Sequence, residues 1–417
     1  MADAELIVDL ARADAVAGPW DALAVERGLP MSSPAWMLGW WRHFAPLSAE
    51  LRIVVVRERG NVIGLVPLFV DPGRRATARL YRLLAYDFAS VLSPLARSDR
   101  EWEVAAATAE LLAEPELCPE RLELGPIPLS SSWATALRER WPGKLRPLAP
   151  RRLETTAIVD IRDRSFEQWL ADRGGRFRHN LLRRRRQFER AEGTYRFADA
   201  RSMATDVRTF TDLHARRWRD HGSSRLVPHG DRVPAFLGEV AEALPAPARL
   251  RLLVLELEGQ PICANLFMAG GGEVITFNQG WDERHRRLSP TLLAMLHTIE
   301  DACARDERRL DLGWGGNPYK QPFADGIDAV TWNTLLPPGR QLARALPRAL
   351  PAIARWRARE TVKRVLPERE LARLRDLRAY TIRPPGGSSR PRRSLTSSAW
   401  MIQRGSSGAR AADRCRE

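Results

Sequence analysis

Hydrophobic and polar positions along this 417-residue chain alternate between a period of two and a period near 3.6, which predicts a mixed α/β order of elements. The first 160 residues predict a short strand at Leu6–Leu10 and an aromatic helix over Ala35–Phe44. Ser33 is placed to cap that helix and Pro34 to fill its first position. Leu51–Arg57 and Val62–Val70 are β-rich runs joined by Arg59-Gly60-Asn61, a hairpin signal. Helices over Glu101–Ala113 and Ser132–Arg140 flank a strand at Arg121–Leu124, and Thr155–Ile161 is expected to close this half.

The second half predicts a short helix at Phe166–Ala171 and a long basic one at Arg176–Ala191, then a strand at Tyr195–Ala198. Helices at Asp206–Arg219 and Pro234–Ala243 lead into three closely spaced strands, Leu250–Glu258, Ile262–Met268 and Glu273–Asn278, separated by glycine turns. A helix over Pro290–Ala304, a strand at Leu310–Trp314, a helical stretch at Tyr319–Ala324 and a strand at Ala329–Leu335 complete the pattern. Four segments follow: two mixed α/β bodies at 1–160 and 161–340, basic amphipathic helices at 341–382 broken by Pro347, Pro351 and Pro367, and a Pro/Gly/Ser/Arg-rich tail at 383–417 expected to be disordered.

Charge sharpens that division. Lys and Arg total 66 against 51 Asp and Glu, a net +15, and 19 basic against 6 acidic residues lie after residue 340. The body is therefore near +2 and the tail near +13, so a nucleic-acid partner is not expected for the body. The tail invites at most an electrostatic contact with an anionic membrane surface. The four cysteines form no CxxC pair and share no metal-ligand spacing with histidine, so neither a zinc site nor a disulfide scaffold is expected. No apolar run approaches the ~20 residues of a membrane span, and the acidic N-terminus does not read as a secretory signal. A cytoplasmic protein, peripheral to a membrane at most, is the expectation.

Candidate chemistry concentrates between Gly280 and Lys320. The polar strand end Asn278-Gln279-Gly280 runs into a loop carrying Arg284, Arg286 and Arg287. Ser289 is placed to cap the next helix, leaving the N–H groups of Thr291, Leu292 and Leu293 free at a dipole-positive end, a ready anion site. The helix is expected to bury Leu292, Leu296, Ile299 and Cys303 on one stripe. In the next strand Asp311 alternates with Leu310 and Leu312, and an acid there needs either an ion-pair partner or a catalytic role. Gly313, Gly315 and Gly316 permit close backbone approach. Tyr319, beside Lys320, is either a proton donor to a leaving group or a half-buried aromatic with a satisfied hydroxyl. On a helical wheel Arg184 falls on the apolar stripe of Phe177, Leu181 and Phe188, where it must meet an internal carboxylate or a bound phosphate. Arg183, Arg185 and Arg186 read as a solvated face. Trp218 reads as a packing residue or a substrate platform.

The order of these pieces resembles the CelD/BcsL-type acetyltransferases, a branch of the GNAT acetyltransferase superfamily linked to cellulose and other exopolysaccharide synthesis. The carriers are SPAWMLGWWRHF, LRIVVVRERGNVIGLVPL, YDFASVLSPL, RFRHNLLRRRRQFERAEG, LHARRW, LVLELEGQPICANLF and the run from Gly280 through Ser289-Pro290 to LDLGWGGNPYK, spread over residues 20 to 335. The resemblance implies an α/β (α+β) fold of two tandem GNAT-like lobes, each a mixed, mainly antiparallel sheet flanked by helices. It implies acyl transfer from acetyl-CoA to a sugar, polysaccharide precursor or amine. Asn278, Gln279, Gly280, Arg284, Arg287, Ser289, Thr291 and Leu292 would hold the cofactor, and Tyr319, Asp311 and Lys320 would carry the chemistry. Arg184, Trp218 and Trp281 would contact substrate. Thr291 replaces the glycine of the family's SPG, and the compact R/Q-x-x-G-x-G/A loop of ordinary GNAT enzymes is absent. Two other readings compete. One is a Fem-type transferase using aminoacyl-tRNA, and the other a non-catalytic scaffold of an exopolysaccharide-synthesis complex.

Overall fold

A computed structural model describes residues 2–71, 79–219, 224–244, 248–314 and 318–339, with a few positions between 342 and 354. Nearly all of the expected basic helices and the whole 383–417 tail lie outside the described residues, as do Gly315 and Gly316.

The first half contains β1 (Asp3–Ile7), α1 (Leu10–Ala15), α2 (Ala17–Glu26), α3 (Pro34–Phe44), β2 (Glu50–Glu58), β3 (Asn61–Asp71), β4 (Leu80–Leu83), β5 (Leu95–Ala96), α4 (Glu101–Leu112), β6 (Arg121–Pro128), α5 (Trp133–Arg140) and β7 (Arg146–Asp160). The strand expected at Leu6–Leu10 lies earlier. Asp9 ends it by accepting from Arg12 N at 2.9 Å, which starts α1 instead. Ser33 caps α3 as expected, accepting from Trp36 N at 3.4 Å. The second half contains α6 (Phe166–Ala171), α7 (Gly175–Arg190), β8 (Thr194–Phe197), α8 (Met203–Arg219), α9 (Arg232–Ala243), β9 (Leu250–Leu257), β10 (Gln260–Gly270), β11 (Glu273–Trp281), α10 (Pro290–Ala304), β12 (Arg309–Trp314) and β13 (Gly326–Leu336). The helical stretch expected at Tyr319–Ala324 shrinks to one 3-10 turn, Gln321–Phe323.

The strands form one sheet in the order β1-β2-β3-β4-β6-β13-β7-β12-β11-β10-β9-β8, with β5 beside β3. The two ends repeat a plan: antiparallel strands followed by one parallel neighbour. Leu80–Arg82 of β4 run parallel to Arg121–Glu123 of β6, and Glu273–Ile275 of β11 run parallel to Arg309–Asp311 of β12. In both places the pairing stops after three residues and the strands part. The centre is interleaved. β7, which the sequence suggests as the close of the first half, runs to Asp160 beside β12, and β13 returns to lie between β6 and β7.

Two cores follow from the two faces of this sheet. One joins α2, α3, α4, α8 and α9 to the strands of both halves. The other packs α6, α7 and α10 on β9–β12. The buried stripe of α10 centres on Leu293, Leu296 and Ile299, one position away from the expected centre, so Leu292 and Cys303 are only half-buried. Each fully buried leucine contributes about 1.5–3 kcal/mol, which fixes the start of α10 against the parting strands.

Candidate functional site

β11 and β12 separate beyond Ile275 and Asp311, and this gap is where the residues suggested by sequence converge. Gly313 turns β12 away with φ +77°, a conformation side chains rarely adopt. The buried Asp311 holds that turn. Its Oδ1 accepts from Gly313 N at 2.7 Å and from Thr156 Oγ1 on β7. Burial raises the Asp311 pKa, against the lowering effect of those two hydrogen bonds. The carboxylate thus faces the neighbouring strand and the turn.

Lys320 enters the gap from below. Its buried Nζ donates to Gly313 O and Trp314 O, both at 3.0 Å. Burial lowers its pKa, with Asp311 acting in the opposite sense. Tyr319 lies alongside, its hydroxyl accepting from Gln279 Nε2 at 3.2 Å and leaving its own O–H free to donate. Burial raises the Tyr319 pKa, so the phenol stays protonated at neutral pH.

The backbone of Gln279 reveals a residue that sequence reasoning missed. Its carbonyl accepts from His214 Nδ1 at 2.9 Å, and His214 Nε2 lies 2.7 Å from Ser224 Oγ. A ring nitrogen facing a carbonyl must carry the proton, so Nε2 is the acceptor and the Ser224 hydroxyl the donor. His214 is 2% exposed, and burial lowers its pKa from 6.5, keeping it neutral. Gly280 makes this approach possible: a Cβ there would lie 2.4 Å from His214 N. His214 lies in LHARRW, four residues before Trp218, with no spacing that marks it as functional. Trp218 and Trp281 are both half-buried, and the Arg217 guanidinium lies over each, 5.7 and 5.1 Å from the ring centroids.

The start of α10 differs from expectation in detail. Ser289 has φ +55° and ψ +56°, and its hydroxyl makes no cap, because the left-handed backbone turns the side chain away from the helix end. Its carbonyl instead accepts from Leu292 N at 3.0 Å and Leu293 N at 3.3 Å, so those two N–H groups are not free. Thr291 N has no backbone acceptor among the described residues. Arg284 is mostly exposed and forks onto Asp282 at 2.6 Å, lining a cleft of about 640 Å3 with Arg216 and His285 instead of the helix start. Arg287 is exposed. Arg184 is the cation at the cradle. Its Nη1 donates to Arg287 O at 2.9 Å, and its buried Nε has no partner. No carboxylate within ion-pairing distance of Arg184 is found among the described residues, so the internal-carboxylate option falls away. Burial, and Arg183 nearby, lower its pKa. Arg185, expected to be solvated, pairs with Glu300 at 3.2 Å.

The equivalent helix of the first half cannot do the same work. α4 opens with Glu101 and Glu103, and Glu101 is tied to Arg27 at 2.7 Å. Two carboxylates at a helix start exclude a phosphate there. Among the described residues no group of three or more His, Cys, Asp or Glu could hold a metal ion. No described helix is long and apolar enough to cross a membrane.

Residues 175–321 match the acetyltransferase (GNAT) domain family. No curated protein matches the chain. Among solved structures, FemX covers 78% of this chain and 96% of its own at 10% identity and a TM-score of 0.56. A conserved protein of unknown function from Bacteroides thetaiotaomicron VPI-5482 covers 80% and 99% at 9% identity, TM-score 0.51. The DUF2156 C-terminal domain assigned to a lysylphosphatidylglycerol synthetase of Agrobacterium fabrum covers 81% and 96% at 11% identity, TM-score 0.50. At these identities the likeness is one of fold. Residues 175–321 thus match an acetyltransferase domain of GNAT type, within a mixed sheet whose two ends repeat one plan.

Proposed function

We propose that the protein transfers an acyl group, acetyl in the simplest case, from coenzyme A to an amine or hydroxyl of a sugar or polysaccharide precursor. The observation that carries this reading is the pair of orphaned donors beside the gap, Thr291 N–H and the buried Nε of Arg184. An unpaired buried guanidinium nitrogen at a dipole-positive helix start fits a pyrophosphate. Thr291, half-buried, stands where the resembled family has glycine.

In this reading the thioester carbonyl lies between β11 and β12, where backbone N–H groups near Gln279 and the third N–H of Lys320 polarise it. The acceptor attacks the carbonyl carbon, and its proton passes through the Ser224 hydroxyl to His214 Nε2. The carbon–sulfur bond breaks, and Tyr319 donates its proton to the departing thiolate. Asp311 acts as a positioning residue by holding the Gly313 turn. Holding both reactants in the gap supplies much of the rate, about 7–11 kcal/mol in favourable cases. A link to exopolysaccharide or cellulose synthesis rests on the resemblance of the motifs alone.

A second donor is favoured by one observation: α7 exposes Arg176, Arg183, Arg186 and Arg190 beside the cradle, without ion-pair partners among the described residues. That face suits the backbone of an aminoacyl-tRNA. Thermal melting separates the two donors. Acetyl-CoA should raise the melting temperature progressively with concentration, and Arg184→Gln, which removes the cradle cation, should weaken the rise at least about tenfold in apparent affinity. Stabilisation by aminoacyl-tRNA with no response to acetyl-CoA would overturn the coenzyme A reading.

A further inference from the structure

The opposite face of the gap carries a second cationic feature that the donor does not use. Trp314, the last residue of β12, is pinned by its Nε1 donating to Ser90 O at 2.6 Å, and its carbonyl receives Lys320 Nζ. Its ring meets Trp332 of β13 edge to face, with centroids 5.0 Å apart. Two guanidiniums lie on this aromatic pair. Arg225 Cζ is 5.2 Å from the Trp314 centroid, and Arg152 Cζ is 4.1 Å from that of Trp332 and 5.8 Å from that of Trp314. Arg152 has Glu154 at 3.2 Å. Among the described residues Arg225 has no carboxylate partner, and its Nη1 donates to the backbone carbonyl of Asp87 at 3.3 Å. Asp87 itself is held toward its neutral form by burial.

This arrangement has the form of a clamp. Stacking on indole fixes a guanidinium at little further entropic cost and leaves its N–H edges to point outward. Arg152 spends Nε and Nη2 on Glu154 Oε1, at 3.3 and 3.2 Å, so Arg225 brings the fork and Arg152 a second positive charge beside it, an arrangement suited to a tetrahedral dianion. The location assigns the role. Trp314 packs with the core on the α8 face, whereas α7 and the start of α10 lie on the other. Arg225 directly follows Ser224, the partner of His214.

We infer that Arg225 and Arg152 on Trp314 and Trp332 form the acceptor subsite and bind a phosphate, so that the acceptor is a phosphorylated amine or alcohol. This rests on the acyltransferase reading for its role, though not for its chemistry. The phosphate could belong to a soluble sugar phosphate or to a lipid headgroup.

The test is thermal melting of the full chain in saturating coenzyme A, titrated with glucosamine 6-phosphate and, in parallel, with glucosamine. Wild type should respond to the phosphorylated sugar alone. Arg225→Gln should weaken that response at least about tenfold in apparent affinity, the effect of losing a charge-assisted pair, and should keep the coenzyme A shift intact. Arg225→Lys, which keeps the charge without the fork, should fall between. Equal responses in wild type and Arg225→Gln, or no response in wild type together with no Arg225-dependent vesicle binding, would overturn the subsite. If coenzyme A gives no shift, the donor reading fails. The phosphate titration, run without it, still decides the subsite. Sedimentation with phosphatidylglycerol vesicles lost in Arg225→Gln would place the phosphate on a lipid; no vesicle binding with an intact sugar-phosphate response would place it on a soluble acceptor.

Discussion

Replacing His214 by glutamine tests the proton path most directly. Glutamine can still donate to Gln279 O and accept from the Ser224 hydroxyl, but its amide oxygen is too weak a base to take up the proton that Ser224 passes on. General-base assistance contributes about 10²–10⁴ in rate, so kcat should fall by about that factor. The stability cost should stay within about 1–3 kcal/mol, that of remaking two buried hydrogen bonds on an amide in place of the ring. The informative assay is the pH dependence of kcat/KM for the acceptor, followed by thiol release. The base works only when neutral, and burial lowers its pKa from the ordinary 6.5. Activity should therefore hold through pH 6.5 and decline only below it, and the variant should lose this acid limb. The same shift predicts that the His214 contribution to stability is present at neutral pH and is lost as pH falls, because the unfolded imidazole binds its proton first. A variant within threefold of wild type, or one that retains the acid limb, would refute the reasoning.

Tyr319→Phe should lower kcat while leaving the KM for the acyl donor nearly unchanged, since the hydroxyl is needed only as the sulfur departs; steady-state kinetics with acetyl-CoA checks this, and unchanged turnover would remove Tyr319 from the mechanism. Asp311→Asn should keep stability within about 1 kcal/mol and most of the activity, because an amide oxygen can accept from Gly313 N and Thr156 Oγ1 just as the carboxylate does. A collapse of kcat in a folded Asp311→Asn protein would make the acid catalytic.

Much of the second half was legible because its signals are local. Glycine turns separate β9, β10 and β11, Pro290 marks the start of α10, and the alternation around Asp311 marks β12. The same locality explains the misses. Arg184 was legible from its place on the apolar stripe of α7, but no propensity forecasts the left-handed Ser289 that leaves its hydroxyl off the helix end, and the Asp282 fork that takes Arg284 out of play is a choice between neighbours. His214 and Arg225 come from α8 and the segment after it, and meet Gln279 and Trp314 only through tertiary packing. The sequence does not mark α1 and α2, because their apolar positions are mostly alanine, Gly18-Pro19 interrupts the pattern and the capping Asp9 stands close to a strand. The position of β7 could not be read at all, since a strand carries no mark of which neighbour it will choose.

That choice of neighbour has a practical consequence. With β7 seated beside β12 and β13 seated beside β6, each half of the sheet is completed by a segment encoded in or after the other. A fragment cut at residue 160 would leave β12 with an open, unpaired edge and expose the first half at β6, an invitation to aggregation. On the ribosome the first half cannot be finished until the last strand emerges, so the two halves mature as one cooperative unit, and a destabilising mutation in the first half should register as lost yield of the whole.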